Sequence, residues 1–310
     1  MRRFRFGTPF PWRNIPAALT TESVIPSSVS VESQRDRSLK RVSKRKRLSF
    51  LSACGSLVYS KSFENVESFC MFIGYPRSGH SLIGSLLDAH PNAIIANELD
   101  ALKYIEAGFT KQQLFYLALR NSRRAAVGGR ERTGYFYNVA GQWQGRFEKL
   151  LVIGDKMGGA SAFRLRVHPS LLDSVRRAVN VPIKFIHVIR NPYDIISTIS
   201  VRTNRSLVES RNSFFGYCDS VAYIKQRVSA TDIYDLKHEE FVKAPTVHLK
   251  SLCDFIGLKT NAAYLEACAS IVFASPHKSR FEAPWNRDLI DAVYQTMSKF
   301  QFLLGYSYDD

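Results

Sequence analysis

The first strongly patterned stretch of the chain is Ser-Phe-Cys-Met-Phe-Ile-Gly-Tyr, residues 68–75. Its apolar run is too short for a helix and rich in aromatics, which predicts a buried strand. Residues 79–91 then place Leu82, Leu86 and Leu87 at helical spacing and stop at Pro91. Two further apolar runs, 150–155 and 183–190, predict buried strands, and 232–239 predicts another. Helical patterns separate and follow them: 169–180, 191–202, 211–228, 245–258 and 287–306. Two of these open on a proline, Pro192 and Pro245, where the missing N–H costs a helix nothing. Strands alternating with helices predict an α/β chain, a three-layer phosphate-loop-like fold with a central parallel sheet flanked by helices. There is no internal repeat. Residues 120–149, rich in glycine, arginine and aromatics, break the rhythm and predict a long irregular segment of the kind that forms functional lids.

Composition changes this picture mainly at the N-terminus. The chain has 310 residues, 45% hydrophobic and 23% charged, enough for a sizeable core. Residues 1–50 hold twelve Lys and Arg, among them the run Lys44-Arg45-Lys46-Arg47, against only Glu22, Glu32 and Asp36. That segment is serine-rich and lacks apolar periodicity, so residues 1–62 are expected to be a disordered basic tail ahead of a domain at 63–310. The same composition fits a targeting peptide, a nuclear or nucleic-acid patch, or a plain solvated tail. The compartment is therefore open between a targeted organelle and the cytoplasm. The net charge of +16 points to anionic partners. No stretch approaches the roughly 20 apolar residues of a membrane-spanning helix. The five cysteines include no C-x-x-C pair and no zinc spacing, so neither a disulfide framework nor a metal site is expected.

The candidate chemistry lies between the first strand and its helix. Gly74, Gly79, His80 and Ser81 nearly spell the loop that cradles nucleotide phosphates, but His80 stands where such a loop has lysine. A glycine turn over a helix N-terminus still offers amide groups and a positive dipole end to an anion. Arg77, earlier in the loop, carries a cation instead. A degenerate loop of a nucleotide kinase or triphosphatase is the alternative at this stage.

Three stretches in this order, YPRSGHSLIGSLLDAHP (75–91), VIRNPYDIISTIS (188–200) and LKHEEFVKAPTVHLKSLCDFIGL (236–258), resemble the sulfotransferase family that uses 3′-phosphoadenosine 5′-phosphosulfate. The resemblance spans about residues 68–310. It implies transfer of a sulfuryl group to a hydroxyl or amine of a carbohydrate, peptide or small molecule, with no metal required. It implies that Arg77, Ser78, Gly79, His80 and Ser81 hold the 5′-phosphosulfate. His80 departs from the family's usual threonine. Arg190 matches the 3′-phosphate arginine, and the hydroxyl eight residues on is Thr198, with Ser197 in reserve. Arg202, one turn further, matches a basic position of the tyrosine-protein branch. Ser275, Lys278 and Arg280 match a segment that covers the nucleotide. For the base, the resemblance to that branch implies Glu98, seven residues after Pro91, and Lys156 matches a lysine that stabilises the transferring group. His168 and His187 read as structural. Tyr135, Tyr137 and Trp143 either stack on an acceptor or simply pack. No specific nucleic acid is implied, and the acceptor and oligomeric state are left open.

Overall fold

The computed structural model describes residues 31–130 and 135–310, with side chains from Arg45 onward. Of the basic tail expected to be disordered over residues 1–62, residues 1–30 lie outside the described residues, while residues 31–58 and 60–62 are helical where disorder was expected. In chain order the elements are α1 (Val31–Val58), α2 (Ser60–Glu64), β1 (Ser68–Ile73), α3 (His80–Asp88), β2 (Ala93–Ala96), α4 (Ala101–Glu106) and α5 (Lys111–Val127). There follow β3 (Val152–Asp155), α6 (Gly159–Val167), α7 (Leu171–Val179), β4 (Ile183–Ile189), α8 (Pro192–Thr203) and α9 (Leu207–Lys225). The chain closes with β5 (Ile233–Lys237), α10 (His238–Lys243), α11 (Pro245–Ile256), α12 (Ala262–Ala269) and α13 (Arg287–Met297).

The five strands form one sheet in the order β2-β3-β1-β4-β5, and every pair is parallel. Strands β1, β2 and β3 are buried along their whole length, as a parallel sheet covered on both faces requires. Alternate residues of β1 divide between two cores. Phe69, Met71 and Ile73 face α4, α5 and α7, while Cys70 and Phe72 face α3, α11 and α12. Gly154 lies inside β3 because the neighbouring strand is too close for a side chain: a Cβ there would sit 2.3 Å from the Cys70 carbonyl oxygen.

The expected α/β architecture and the strands at 68–75, 150–155, 183–190 and 232–239 are present. Helices α4, α6, α10 and α12 were not read from the sequence, and three further stretches differ from it. Helix α5 runs to Val127, into the segment expected to be irregular, and opens with a capping box between Thr110 and Gln113. Strand β2 has only four residues, too few to show a period. The residues from Leu48 form one compact unit, which starts upstream of residue 63. Here Ser52 and Ser56 are buried, and Gln113 donates to the Ser49 carbonyl at 2.9 Å and to Ser49 Oγ at 3.1 Å. The inward face of this part of α1 is Leu48, Ser49, Ser52, Gly55 and Ser56, so a single leucine and no apolar stripe announces it. Among the described residues no helix is long and apolar enough to cross a membrane.

Candidate active site

The carboxyl ends of all five strands converge on one region, where open parallel sheets place their ligand sites. Arg77 lies in the loop after β1 and Glu98 two residues after β2. Lys156, Arg190 and His238 directly follow β3, β4 and β5.

The loop after β1 is a tight glycine turn. Gly74 and Gly79 have φ of +142° and +107°, and Arg77 itself is left-handed at +73°. Left-handed backbone costs a non-glycine residue about 1–3 kcal/mol, which surrounding structure must offset. Here Ser78, fully buried, donates its hydroxyl to the Tyr75 carbonyl at 3.1 Å and closes the turn. The loop leads straight into α3, whose first-turn amides have no partner within the helix.

His80 does not point at this anion site. Its ring packs edge-on against Phe72, with centroids 5.6 Å apart, and fills the space left by two glycines. A Cβ on Gly74 would lie 3.0 Å from the ring, and one on Gly158 only 2.6 Å from Nδ1. Burial, with the nearby charge of Lys156 and the His187 ring, pushes its pKa down to about 3, so the imidazole is neutral. The sequence reading counted His80 among the residues that hold the 5′-phosphosulfate; here its ring is packed between Phe72, Gly74 and Gly158.

The cation absent from position 80 enters from β3. The stem of Lys156 crosses α3 at Gly84, where a Cβ would come within 2.7 Å of its Cγ. Its ammonium, 3% exposed, donates to Ser81 Oγ at 3.0 Å and to Glu98 Oε1 at 3.1 Å. Ser81, Lys156 and Glu98, named separately from the sequence, thus form one chain of contacts.

Arg190 anchors the other half. Its Nη1 donates to the Arg77 carbonyl at 3.3 Å, and its Nη2 to the His277 carbonyl. Burial and the like charges of Arg202 and Arg190 hold the Arg77 guanidinium below its usual pKa, while the phenols of Tyr137 and Tyr135 act in the opposite sense. Among the described residues none of these three arginines has a carboxylate in ion-pair range, and the Nε atoms of Arg77 and Arg190 are buried without an acceptor. Arg202 is exposed and Arg190 also acts on the nearby Asp194 carboxyl, and the three together still leave a local excess of positive charge that favours an anion.

The remaining candidates divide. Thr198 Oγ1 faces the segment around residue 279, 2.9 Å from Ser279 Oγ, while it donates to the Asp194 carbonyl at 2.7 Å. Ser197 points away and accepts from the Trp285 indole at 2.9 Å. Arg280, 1% exposed, is held by Asp194 at 2.7 Å and by the Asp310 main-chain oxygen, and Lys278 donates to that same oxygen. Both side chains tie the segment to the fold, Arg280 through its pair with Asp194, with its Nε buried without an acceptor. Ser275 is exposed. His187 is buried against Tyr75 and Phe302 with Nδ1 3.0 Å from Asp235, and His168 caps α6 at its C-terminus.

Two features escaped the sequence reading. His238 packs against Gly79, where a Cβ would lie 2.5 Å from its Cδ2, and burial beside Arg190 pushes its pKa down to about 3. The only sequence signal was its place directly after a strand. Asp88, buried in α3, accepts from the amides of Ile95 and Gly145 and from Ser122, and pairs with Arg130. It fastens the start and end of the segment expected to be a lid. Gln144 pins that segment further, donating to Ser85 and Tyr137 carbonyls at 3.0 and 2.8 Å. Tyr135 and Tyr137 stack with centroids 6.3 Å apart, and Phe273 meets Tyr135 edge-on at 5.7 Å. Trp143 is not among them and lies under Arg146. Among the described residues no group of three or more His, Cys, Asp or Glu could hold a metal ion.

No family model and no curated protein matches the sequence. Solved structures do. The chain is similar to the sulfotransferase domain of the Synechococcus PCC 7002 olefin synthase, at 16% identity and a TM-score of 0.50, over 76% of this chain and 94% of that one. It is equally similar in fold to the sulfotransferase domain of the curacin biosynthetic pathway, at 13% identity and a TM-score of 0.50, over 78% of this chain and 99% of that one. The class that the fold defines is therefore the α/β fold of sulfotransferase domains.

Proposed function

We propose that this protein is a sulfotransferase that uses 3′-phosphoadenosine 5′-phosphosulfate and a hydroxyl-bearing acceptor. The observation that carries the reading is the cluster of Arg77, Arg190 and Arg202 without a carboxylate partner, joined to the glycine turn and the amides of α3. A nucleotide phosphorylated at both 5′ and 3′ positions supplies the two separated anions that this arrangement accommodates.

When bound, the nucleotide supplies the sulfuryl group. Arg77, the hydroxyl of Ser81 and the amides of Gly79 and His80 hold its 5′ end, and Ser78 shapes the turn. Arg190 and Arg202 hold its 3′-phosphate, and Thr198 joins them once its hydroxyl turns from the Asp194 carbonyl. Glu98 takes the proton from the acceptor hydroxyl, and Lys156 places positive charge between that base and the loop. Arg77 stabilises negative charge that grows on the leaving phosphate. The stacked Tyr135 and Tyr137, near Arg77, offer a flat wall for the acceptor. A transfer assay with radiolabelled phosphosulfate against sugars, phenols and tyrosine peptides tests the reading. Label is expected on one class of acceptor; binding of ATP in preference to the bisphosphate nucleotide contradicts it.

A further inference from the structure

Glu98 is carried on a backbone that most residues avoid. Its φ is +60°, and two residues on Asp100 has φ of +62°. The left-handed residues alternate with Leu99 and Ala101, whose amides both point to one carboxylate. Leu99 N donates to Asp155 Oδ1 at 2.9 Å and Ala101 N to Asp155 Oδ2 at 2.8 Å. Asp155 is the last residue of β3 and is 2% exposed. It is also the residue directly before Lys156, whose own amide donates to the Ala96 carbonyl at 3.0 Å, at the end of β2. Both members of the Glu98–Lys156 pair are thus tied to the same strand end.

A buried carboxylate needs partners, and both oxygens of Asp155 find main-chain donors in this one loop. In return, the two peptides that follow Glu98 and Asp100 are fixed, because the Leu99 and Ala101 N–H groups belong to them, and this holds the backbone of both left-handed residues. We propose that Asp155 is a positioning residue, whose carboxylate holds the Leu99 and Ala101 amides so that Glu98 stays left-handed and faces Lys156. The proposal rests on the reading of Glu98 as the base and extends it to the device that aims it. Raised by burial to about 6, the Asp155 pKa places its titration where the bonds to the loop respond to mild acid, which accords with this role.

The test uses the full chain with Asp155→Asn, which keeps the shape and one acceptor oxygen, and Asp155→Ala, which keeps neither. Amide exchange is read at Leu99 and Ala101, with β4 as the internal reference, and affinity for 3′-phosphoadenosine 5′-phosphate is measured on each variant. Exchange at the two amides is expected to rise about tenfold or more in Asp155→Ala and less in Asp155→Asn, with β4 at its wild-type rate. Nucleotide affinity is expected to stay within about threefold, since the loop lies outside the arginine cluster. Turnover should fall through kcat, and adding Asp155→Ala to Glu98→Gln should slow it no further, because the two act as one unit. Unchanged exchange at Leu99 and Ala101 overturns the proposal, and so does equal acceleration in β4, which marks a merely structural residue. If Glu98→Gln leaves turnover intact, the base assignment fails while the exchange result still decides what Asp155 holds, so the two failures are distinct.

Discussion

Glu98 sits at the meeting point of three constraints: a left-handed backbone, an ion pair to Lys156, and a place two residues beyond a strand end. A positioned base is typically worth about 10²–10⁴-fold in rate, so Glu98→Gln should lower kcat by that order while sparing nucleotide affinity. A helix-flanking carboxylate without a chemical role would instead cost about 1 kcal/mol or less and leave turnover near normal. Turnover, melting temperature and nucleotide affinity on the same variant separate the two.

A second residue-scale prediction concerns pH. In the unfolded chain His80 binds its proton near 6.5, but in the folded protein burial delays this to about 3. Between those values the unfolded state carries a proton that the folded state refuses, so stability falls as pH drops through that window. Asp155 acts oppositely. Its pKa rises from 3.8 to about 6, so the folded state holds a proton there that the unfolded state has released, and part of the loss is offset. Thermal melts from pH 6.5 to 4 should show a shallower acid slope in His80→Gln than in wild type, whatever the variant's stability at neutral pH. Parallel slopes would show that His80 already exchanges its proton freely in the folded state.

Helix α3 meets the end of β3 at Gly84, where the Lys156 stem crosses it. Gly84 is a poor helix residue, about 1 kcal/mol worse than alanine in a helix interior. Its value is the channel it opens for Lys156. Gly84→Ala therefore should not raise the melting temperature as propensity alone would, because its Cβ meets the lysine stem at 2.7 Å. Displacing that stem should lower kcat by about 10²-fold, the scale of a 1 Å misplacement of a reacting group. Rising stability with unchanged turnover would mean that Lys156 reaches Ser81 and Glu98 by another path.

The same elements explain what could be read from the sequence. The strand, glycine turn and helix at 68–91 were legible because an apolar run changes to helical period across two glycines. Strand β2 was not, since four residues show no period, and its register comes only from pairing with β3. Helix α5 was not read from the sequence, and past residue 120 its last turns carry Arg123, Arg124 and alanines in place of an apolar stripe. The basic character of Arg280 was legible, but not that Asp194 claims it. Two residues of opposite charge 86 apart in sequence meet only through tertiary packing. His80 was read as a loop residue, and its inward turn depends on Gly158, a partner that sequence spacing alone does not bring near.

For the whole molecule, the sheet order gives the site its form. β3 and β4 flank β1 on opposite sides, so the chain reverses its winding beside the glycine turn after β1 and opens a crevice at the strand ends. Into that crevice the chain brings arginines from β1, β4 and α8. With a net charge of +16, long-range attraction should add to the local contacts. Nucleotide affinity should fall steadily from about 0.1 M to 1 M salt, as the screening length shrinks from about 10 Å to 3 Å. Affinity insensitive to salt would place the binding energy in apolar contacts with the base instead.

The central claim is that this site is built for a nucleotide phosphorylated at both its 5′ and 3′ positions. Calorimetric titration in the presence of a chelator, with 3′-phosphoadenosine 5′-phosphate and ATP as competing ligands, tests it most directly. The account predicts that the bisphosphate binds without metal, that ATP binds far more weakly, and that Arg190→Ala weakens the bisphosphate by about 2–4 kcal/mol, the scale of removing one partner of a buried charged contact. Tighter binding of ATP, or bisphosphate binding that Arg190→Ala leaves intact, would contradict it.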